Sequence, residues 1–421
     1  MKQYKLKEVA SLYAGYPFDG HLYDNEGIRV VRGDNVTIGS LRWDIDKRWN
    51  LPFKEAETYS LRDGDIVIGM DGSRVGRNRA MVSVSDLPLY LAQRVACVRN
   101  REMSYQKYLY YAIFNSRFEQ YINTIHTGTS IPHISLEQLG DFTFPMPGLN
   151  AQIKIGDFLY LLDKKIALNT RMNAELEAIA KQLYDYWFVQ FDFPDENGNP
   201  YKSSGGKMVY NPTLKREIPA GWEVNTINNI IEPIERGISY SSEDIKNQTG
   251  IPMVNLACYS KQGEYRPGEL KVYSGNYKSE NITYPYDMLI ACTDMTQDAD
   301  IIGRPILVTE EYKSYVYSMD LIKITSRDID KFYLYYSLRT PFYHKYIKPF
   351  ASGTNVKHLK VDGITNYSIS IPPSGLQFLF GDFIYNLKKR EMKVINENKN
   401  LTHLRDSLLP MLMNGQVTVE D

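Results

Sequence analysis

The chain has 421 residues, 43% of them hydrophobic and 24% charged, which is a globular composition too long for one ordinary core and suited to two to four domains. Lysine plus arginine number 49 against 50 aspartate plus glutamate, which argues against an indiscriminate polyanion binder but leaves room for a basic face offset elsewhere. Cys97, Cys258 and Cys292 are too scattered for a disulfide framework or a zinc spacing, no apolar run reaches the roughly 18–20 residues of a membrane span, and the opening MKQYKLKEVASLY has no signal core, so a soluble cytoplasmic protein is expected.

Residues 1–148 begin with short apolar runs such as IRVVRG, DIVIGM and RVACVRN. Their Val and Ile content and Gly/Asp/Asn punctuation predict strands, with one helical stretch near 104–122. Residues 149–191 change to a helical pattern. Leu162, Ile166, Asn169, Asn173, Leu176, Ala180, Leu183 and Trp187 alternate steps of four and three, a heptad seam. A turn-rich linker, 192–220, follows. Residues 221–373 return to strand-like runs (IPMVNL, DMLIAC, DLIKIT) with a helical stretch near 328–347. Residues 374–415 form a second long helix, and 416–421 a tail. Its seam carries Leu387, Val394, Asn398, Leu401, Leu408 and Leu412, with Glu391 and Arg405 at the remaining points. Pro410 should kink it or leave it short of a bond.

The chain is thus written twice. Gly128-Thr129-Ser130-Ile131-Pro132-His133-Ile134 recurs 225 residues later as Gly353-Thr354-Asn355-Val356-Lys357-His358-Leu359. The same separation maps Tyr110-Tyr111 onto Tyr335-Tyr336, Gln152 onto Gln377, and Gly156-Asp157-Phe158 onto Gly381-Asp382-Phe383. Upstream the register drifts, with Asp65 resembling Asp287 and Gly76-Arg77 resembling Gly303-Arg304, as loop insertions on a shared scaffold would produce. The predicted fold is α+β: two similar α/β modules separated by two long antiparallel helices, which form an intramolecular coiled coil with a pseudo-two-fold relation. Asn173 and Asn398 are repeat-equivalent and in the seam, where a buried Asn fixes register.

No P-loop, dinucleotide fingerprint or metal-protease histidine spacing is present. Asp294, Asp298 and Asp300 share a loop, but no second carboxylate cluster supports a metal there. Two similar modules on a stiff strut suit a two-part target, and duplex DNA, with its own local two-fold, fits. In the first module Ser73, Arg74, Arg77, Asn78 and Arg79 lie in one glycine-bearing loop, because arginine serves phosphate contact and guanine readout alike. The plain alternative is a solvated hairpin tip. Arg29, Arg32, Gln93 and Arg94 are further candidates, as are Thr127, Thr129, Ser130 and His133 in the repeated segment. The second module offers Asn255, Thr293, Thr296, Gln297 and Arg304, then Ser352, Thr354, Asn355, Lys357 and His358. Its Thr293–Asp298 loop is acidic where the first module's is basic, so the two modules should read different sequences.

The layout resembles the DNA-specificity subunit of type I restriction–modification systems. The resemblance spans nearly the whole chain. It is carried by Tyr184-Asp185-Tyr186-Trp187-Phe188-Val189-Gln190-Phe191-Asp192-Phe193, by Ile218-Pro219-Ala220-Gly221-Trp222-Glu223-Val224, and by Leu404 to Gly415 (LRDSLLPMLMNG). It implies two target-recognition domains, each reading part of an interrupted double-stranded DNA site, with the helices as spacer. It also implies a non-catalytic chain that binds no cofactor itself. Two modification subunits carrying S-adenosylmethionine would methylate adenine, and two motor-nuclease subunits using ATP and Mg could join them. A two-headed bridging protein for protein or glycan ligands, with no methyltransferase partner, is the alternative.

Overall fold

The computed structural model describes residues 1–419 apart from 126–131, 247–248, 261–262, 267 and 297. Two compact units form: Met1–Ala167 with Lys399–Asp421, and Leu168–Asn398. Each therefore combines one globular module with part of both long helices.

Unit 1 contains a four-stranded antiparallel sheet in the order Ala10–Ala14, Val95–Asn100, Ile66–Gly69, Arg79–Met81. Beside it Ile28–Val31 pairs antiparallel with Arg48–Trp49 and parallel with Leu89–Leu91. Lys2–Lys5 pairs with Thr143–Met146 and closes the module where the first long helix begins. The fully buried run Ile66–Gly69 is flanked by sheet on both sides, which suits its unbroken apolar character. Unit 2 repeats this plan. Its corresponding sheets are Glu235–Arg236, Leu321–Ile324, Met288–Ala291, Pro305–Leu307, and Lys271–Tyr273, Ile251–Val254, Tyr315–Tyr317, Ile282–Thr283, closed by Glu223–Thr226 against Ser368–Ile371.

Each predicted single helix near 104–122 and 328–347 is instead a pair: Gln106–Ile113 with Ser116–Ile125, and Lys331–Ser337 with Pro341–Ile347. Capping chemistry makes the breaks. The Asn115 carboxamide oxygen accepts from the N–H groups of Arg117 (2.9 Å) and Phe118 (3.2 Å), and the Thr340 hydroxyl accepts from Tyr343 ahead of Pro341.

The duplication is visible bond by bond. The Gln152 side chain accepts from Tyr105 N–H (2.9 Å) and donates to the Pro147 carbonyl (2.9 Å). Gln377 does the same to Asp330 (2.8 Å) and Pro372 (2.7 Å). The Tyr108 hydroxyl donates to the Pro145 carbonyl, and that of Tyr333 to the Ser370 carbonyl. Gly76 and Gly303 both take positive φ (65° and 71°), and an added Cβ would come within 2.8 Å of Ile122 and 2.7 Å of Ile347. Only glycine fits both the backbone angle and the gap.

The first long helix runs Leu149–Tyr184 and ends in a π-helical turn, Asp185–Val189. The second runs Ser374–Met413 with Pro410 inside its last turns, where the ring has no N–H to give the helical ladder. At ~1.5 Å per residue these are about 54 and 60 Å. Within unit 2 the helices meet antiparallel: Asn169 Nδ2 donates to Glu397 Oε2 (2.8 Å), Asn398 Nδ2 to Thr170 Oγ1 (3.3 Å), and Lys388 Nζ to Glu177 Oε2 (2.6 Å). Within unit 1 Arg405 Nη1 meets Asp163 Oδ1 at 2.7 Å, in the same sense. Seam residues Leu162, Ile166, Asn173, Leu176, Leu183, Leu387, Val394, Asn398, Leu401 and Leu408 are all at least half-buried. Charges at the two irregular points, Glu391 and Arg405, are matched by Lys388 and Asp163. Arg405–Asp163 crosses between the helices, while Glu391 pairs within its own helix to Lys388, which in turn reaches Glu177 of the first. Each module packs onto its part of the helices through large apolar side chains: Tyr184, Phe188, Tyr333 and Phe380 join one core, while Phe118, Phe144, Leu412 and Met413 join the other.

Candidate nucleic-acid interface

In unit 1 the loops that carry the candidates leave one edge of the four-stranded sheet, where Gly69 lies opposite Val95. The segment before the first long helix is drawn to that edge. Gly72 N–H donates to the Pro132 carbonyl (3.0 Å), and Ile134 N–H to the Met70 carbonyl (3.0 Å). Asp71 and His133 are consequently bridged by backbone and side chain alike, with His133 Nδ1 against Asp71 Oδ1. The other carboxylate oxygen, Oδ2, binds Arg94 Nη1 at 2.9 Å. Ser73, Arg74, Arg77, Gln93, Arg94 and His133 are exposed together on this side, and Asn78 is half-buried. Arg77 is steadied by Asn123 (3.4 Å).

Arg79 does not join them. It is 2% exposed, because the turn at Gly76 brings it onto a strand whose side chain points inward. Its guanidinium donates to the Gly76 carbonyl (3.0 Å) and to Glu119 Oε1 (2.8 Å), and lies over the Phe114 ring. Burial holds its pKa below the usual arginine range. Arg79 therefore braces the loop from beneath and cannot touch DNA, correcting the sequence expectation. Arg29 and Arg32 are half-buried, paired with Asp46 and Asp34 (3.2 Å each) and set over Trp43 and Tyr23.

In unit 2 the hairpin Ala351–Ser352 with Lys357–Leu359 adds Thr293–Asp294 as a third strand, placing Thr293 opposite His358. Ser352, Thr354, Asn355 and His358 are exposed and Lys357 is half-buried. Two candidates turn inward. Asn255 is buried, accepting from Ala257 N–H (2.9 Å) and donating to the Glu269 carbonyl (3.1 Å), so it shapes a loop rather than reading a base. Thr293 is also buried within the strand. Asp294 spends its oxygens on the N–H groups of Thr296 and Ile301 (2.7 Å each), the chemistry of a structural turn. Thr296 is half-buried and accepts from Asp300 N–H (3.1 Å).

Arg304 is half-buried and lines a cleft of about 530 Å³ together with Glu177, Lys181, Glu264 and Arg339. It donates to the Asp300 carbonyl (2.7 Å), and its Nη2 lies 3.2 Å from His344 Nδ1. Burial, and then the Arg304 charge, push His344 down to about 4, so the imidazole is neutral and Nδ1 accepts. Thr127, Thr129, Ser130 and Gln297 lie outside the described residues. Asp71 was missed as a candidate. The available signal was a carboxylate directly before the glycine of an arginine loop, which only the fold joins to His133 and Arg94.

The family profile described as "Type I restriction modification DNA specificity domain" matches residues 1–178 and 219–402, once in each half. The chain belongs to that family. Among its curated relatives, the Type I restriction enzyme MjaIX specificity subunit of Methanocaldococcus jannaschii is 26% identical over 351 residues, covering 81% of this chain and 76% of that one. The Type I restriction enzyme HindI specificity subunit of Haemophilus influenzae is 23% identical over 469 residues, covering 99% of both. The S subunit of a type I restriction–modification system from M. genitalium has the same fold, with TM-score 0.61 at 15% identity over 98% of this chain and 96% of that one. Among the described residues no helix is long and apolar enough to cross a membrane.

Proposed function

We propose that this chain is the DNA-reading subunit of a type I restriction–modification complex, in which each unit reads one part of an interrupted double-stranded site. The observation that carries the reading is a loop-bearing sheet edge built twice, on the same backbone bonds, with different exposed side chains. A shared scaffold with divergent tips is what two half-sites of different sequence require. Affinity comes from cationic contacts to phosphate, with Arg74, Arg77 and Lys357 the available groups, and choice of sequence from side chains entering the major groove. Methyl transfer to adenine belongs to two modification subunits that supply S-adenosylmethionine and dock on the helical region. Two ATP- and Mg-dependent motor-nuclease subunits complete the restricting form, and the assembly works in the cytoplasm. The chain contributes recognition and no bond-making step.

On this reading the long helices set the unspecific gap between half-sites. Deleting one heptad from each shortens each by about 10 Å, roughly three base pairs of duplex at ~3.4 Å per pair. Mapping methylated bases in a host that carries the shortened chain and its modification partner should show both half-sites preserved and the gap reduced. Altered half-sites with an unchanged gap would refute the spacer role.

A further inference from the structure

The two modules carry an equivalent tight turn just before the strands Val95–Asn100 and Leu321–Ile324. In unit 1 Met70 N–H donates to the Arg94 carbonyl (2.9 Å), Gln93 N–H to the Tyr16 carbonyl (2.8 Å), and Val95 N–H to the Ala92 carbonyl (3.3 Å). In unit 2 Cys292 N–H donates to the Asp320 carbonyl (2.8 Å), Met319 N–H to the Ile238 carbonyl (2.8 Å), and Leu321 N–H to the Ser318 carbonyl (2.9 Å). Met70 and Cys292 each follow the equivalent central strand. Gln93-Arg94 and Met319-Asp320 therefore hold the same two places on one scaffold, with opposite charge and changed polarity.

The side chains are prepared differently. Arg94 sits at φ 68°, a backbone angle that arginine adopts rarely, and its side chain is 67% exposed. Asp71 grips one guanidinium nitrogen while His133 holds the other Asp71 oxygen. A guanidinium has five N–H donors, so a carboxylate on one edge orients the group and leaves further donors to point outward. Such an arginine matches the O6 and N7 acceptors of guanine. In unit 2 the place of Asp71, bridged to the equivalent histidine, is taken by Thr293. The turn offers the half-buried Asp320, whose Oδ2 lies 3.5 Å from the Ser318 hydroxyl and whose carboxylate only accepts hydrogen bonds when ionised, beside the exposed thioether chain of Met319. A carboxylate there accepts from the N4 amino group of cytosine and rejects the guanine edge that Arg94 prefers.

We propose that this turn is the paired specificity element of the protein: Arg94, positioned by Asp71, reads a guanine in one half-site, and Asp320 reads a cytosine in the other. The inference rests on the DNA-reading function above and adds the residues, the bases and the second-half turn.

The test maps methylated bases in a host carrying the full chain with its modification partner. Wild type is mapped first; failure to find a two-part methylated site would sink the DNA-reading function itself. Given that site, Arg94→Ala should relax a single guanine position in one half-site, lowering the preference there by about 5- to 150-fold, and leave the other half-site intact. Asp71→Asn should relax the same position, and the double variant should be no more relaxed than Arg94→Ala, a pattern that a purely structural role for Asp71 would not produce. Asp320→Ala should relax one cytosine position in the opposite half-site. If Arg94→Ala or Asp320→Ala lowers methylation at every site with the recognised sequence unchanged, or relaxes both half-sites, the proposal is overturned.

Discussion

Replacing Glu177 by Gln tests whether the ionic cluster where the first long helix meets the second module is a stabilising keystone. The Glu177 carboxylate takes Lys388 Nζ (2.6 Å) and the Tyr336 hydroxyl (3.1 Å) on one oxygen and Arg339 Nη2 (3.1 Å) on the other. The three charged side chains are only 12–19% exposed, so solvent screens them little. Burial alone would raise the Glu177 carboxyl, yet Lys388 and Arg339 outweigh it and hold the group below the usual range. Removing one charge strands the others. Lys388 keeps Glu391 (2.8 Å), and Arg339 keeps the Tyr335 hydroxyl (2.8 Å). Breaking a fully buried pair costs about 3–5 kcal/mol, and the remaining partners bring the expected loss to about 3 kcal/mol. Urea unfolding, with hydrogen exchange followed over Lys331–Ser337, should register that loss in unit 2. The carboxyl is depressed in the folded state, so its contribution is present above the unfolded value near 4.3 and disappears as pH falls through the folded value. Wild type and variant should therefore draw together only as pH falls below the unfolded value and through the lower folded one. The paired replacement Glu177→Leu with Lys388→Met should be milder than the sum of the single changes. A loss under about 0.5 kcal/mol, the scale of an exposed ion pair, would mean that the cluster is not a keystone.

Gln152→Leu and Gln377→Leu should each cost about 2–4 kcal/mol by orphaning a buried backbone N–H and carbonyl at the start of a long helix. Hydrogen exchange should localise the first loss to unit 1 and the second to unit 2, and equal effects in both units would contradict the duplicated role. Arg79→Met should lower stability by about 1–2 kcal/mol, since it removes the Gly76 bond and a pair to the half-exposed Glu119, while leaving the methylated sequence unchanged. A changed sequence would return Arg79 to the reading surface.

The duplication, the strand-rich modules and the heptad seam are legible along the chain, because each is written in local periodicity or in direct self-similarity. The Gln152/Gln377 and Gly76/Gly303 pairs show that matched letters stand for matched bonds. Which polar side chains face outward depends instead on contacts made across the fold. Arg74, Arg77 and Arg79 look alike in one loop, but the Gly76 turn and the strand register send the third beneath the other two. Likewise Asp71, His133 and Arg94 lie apart along the chain, and the turns Gln93-Arg94 and Met319-Asp320 differ in both side chains. Their equivalence resides in backbone hydrogen bonds, and the matched strands that start there, RVACVRN and DLIKIT, carry it in the chain while the turn side chains differ.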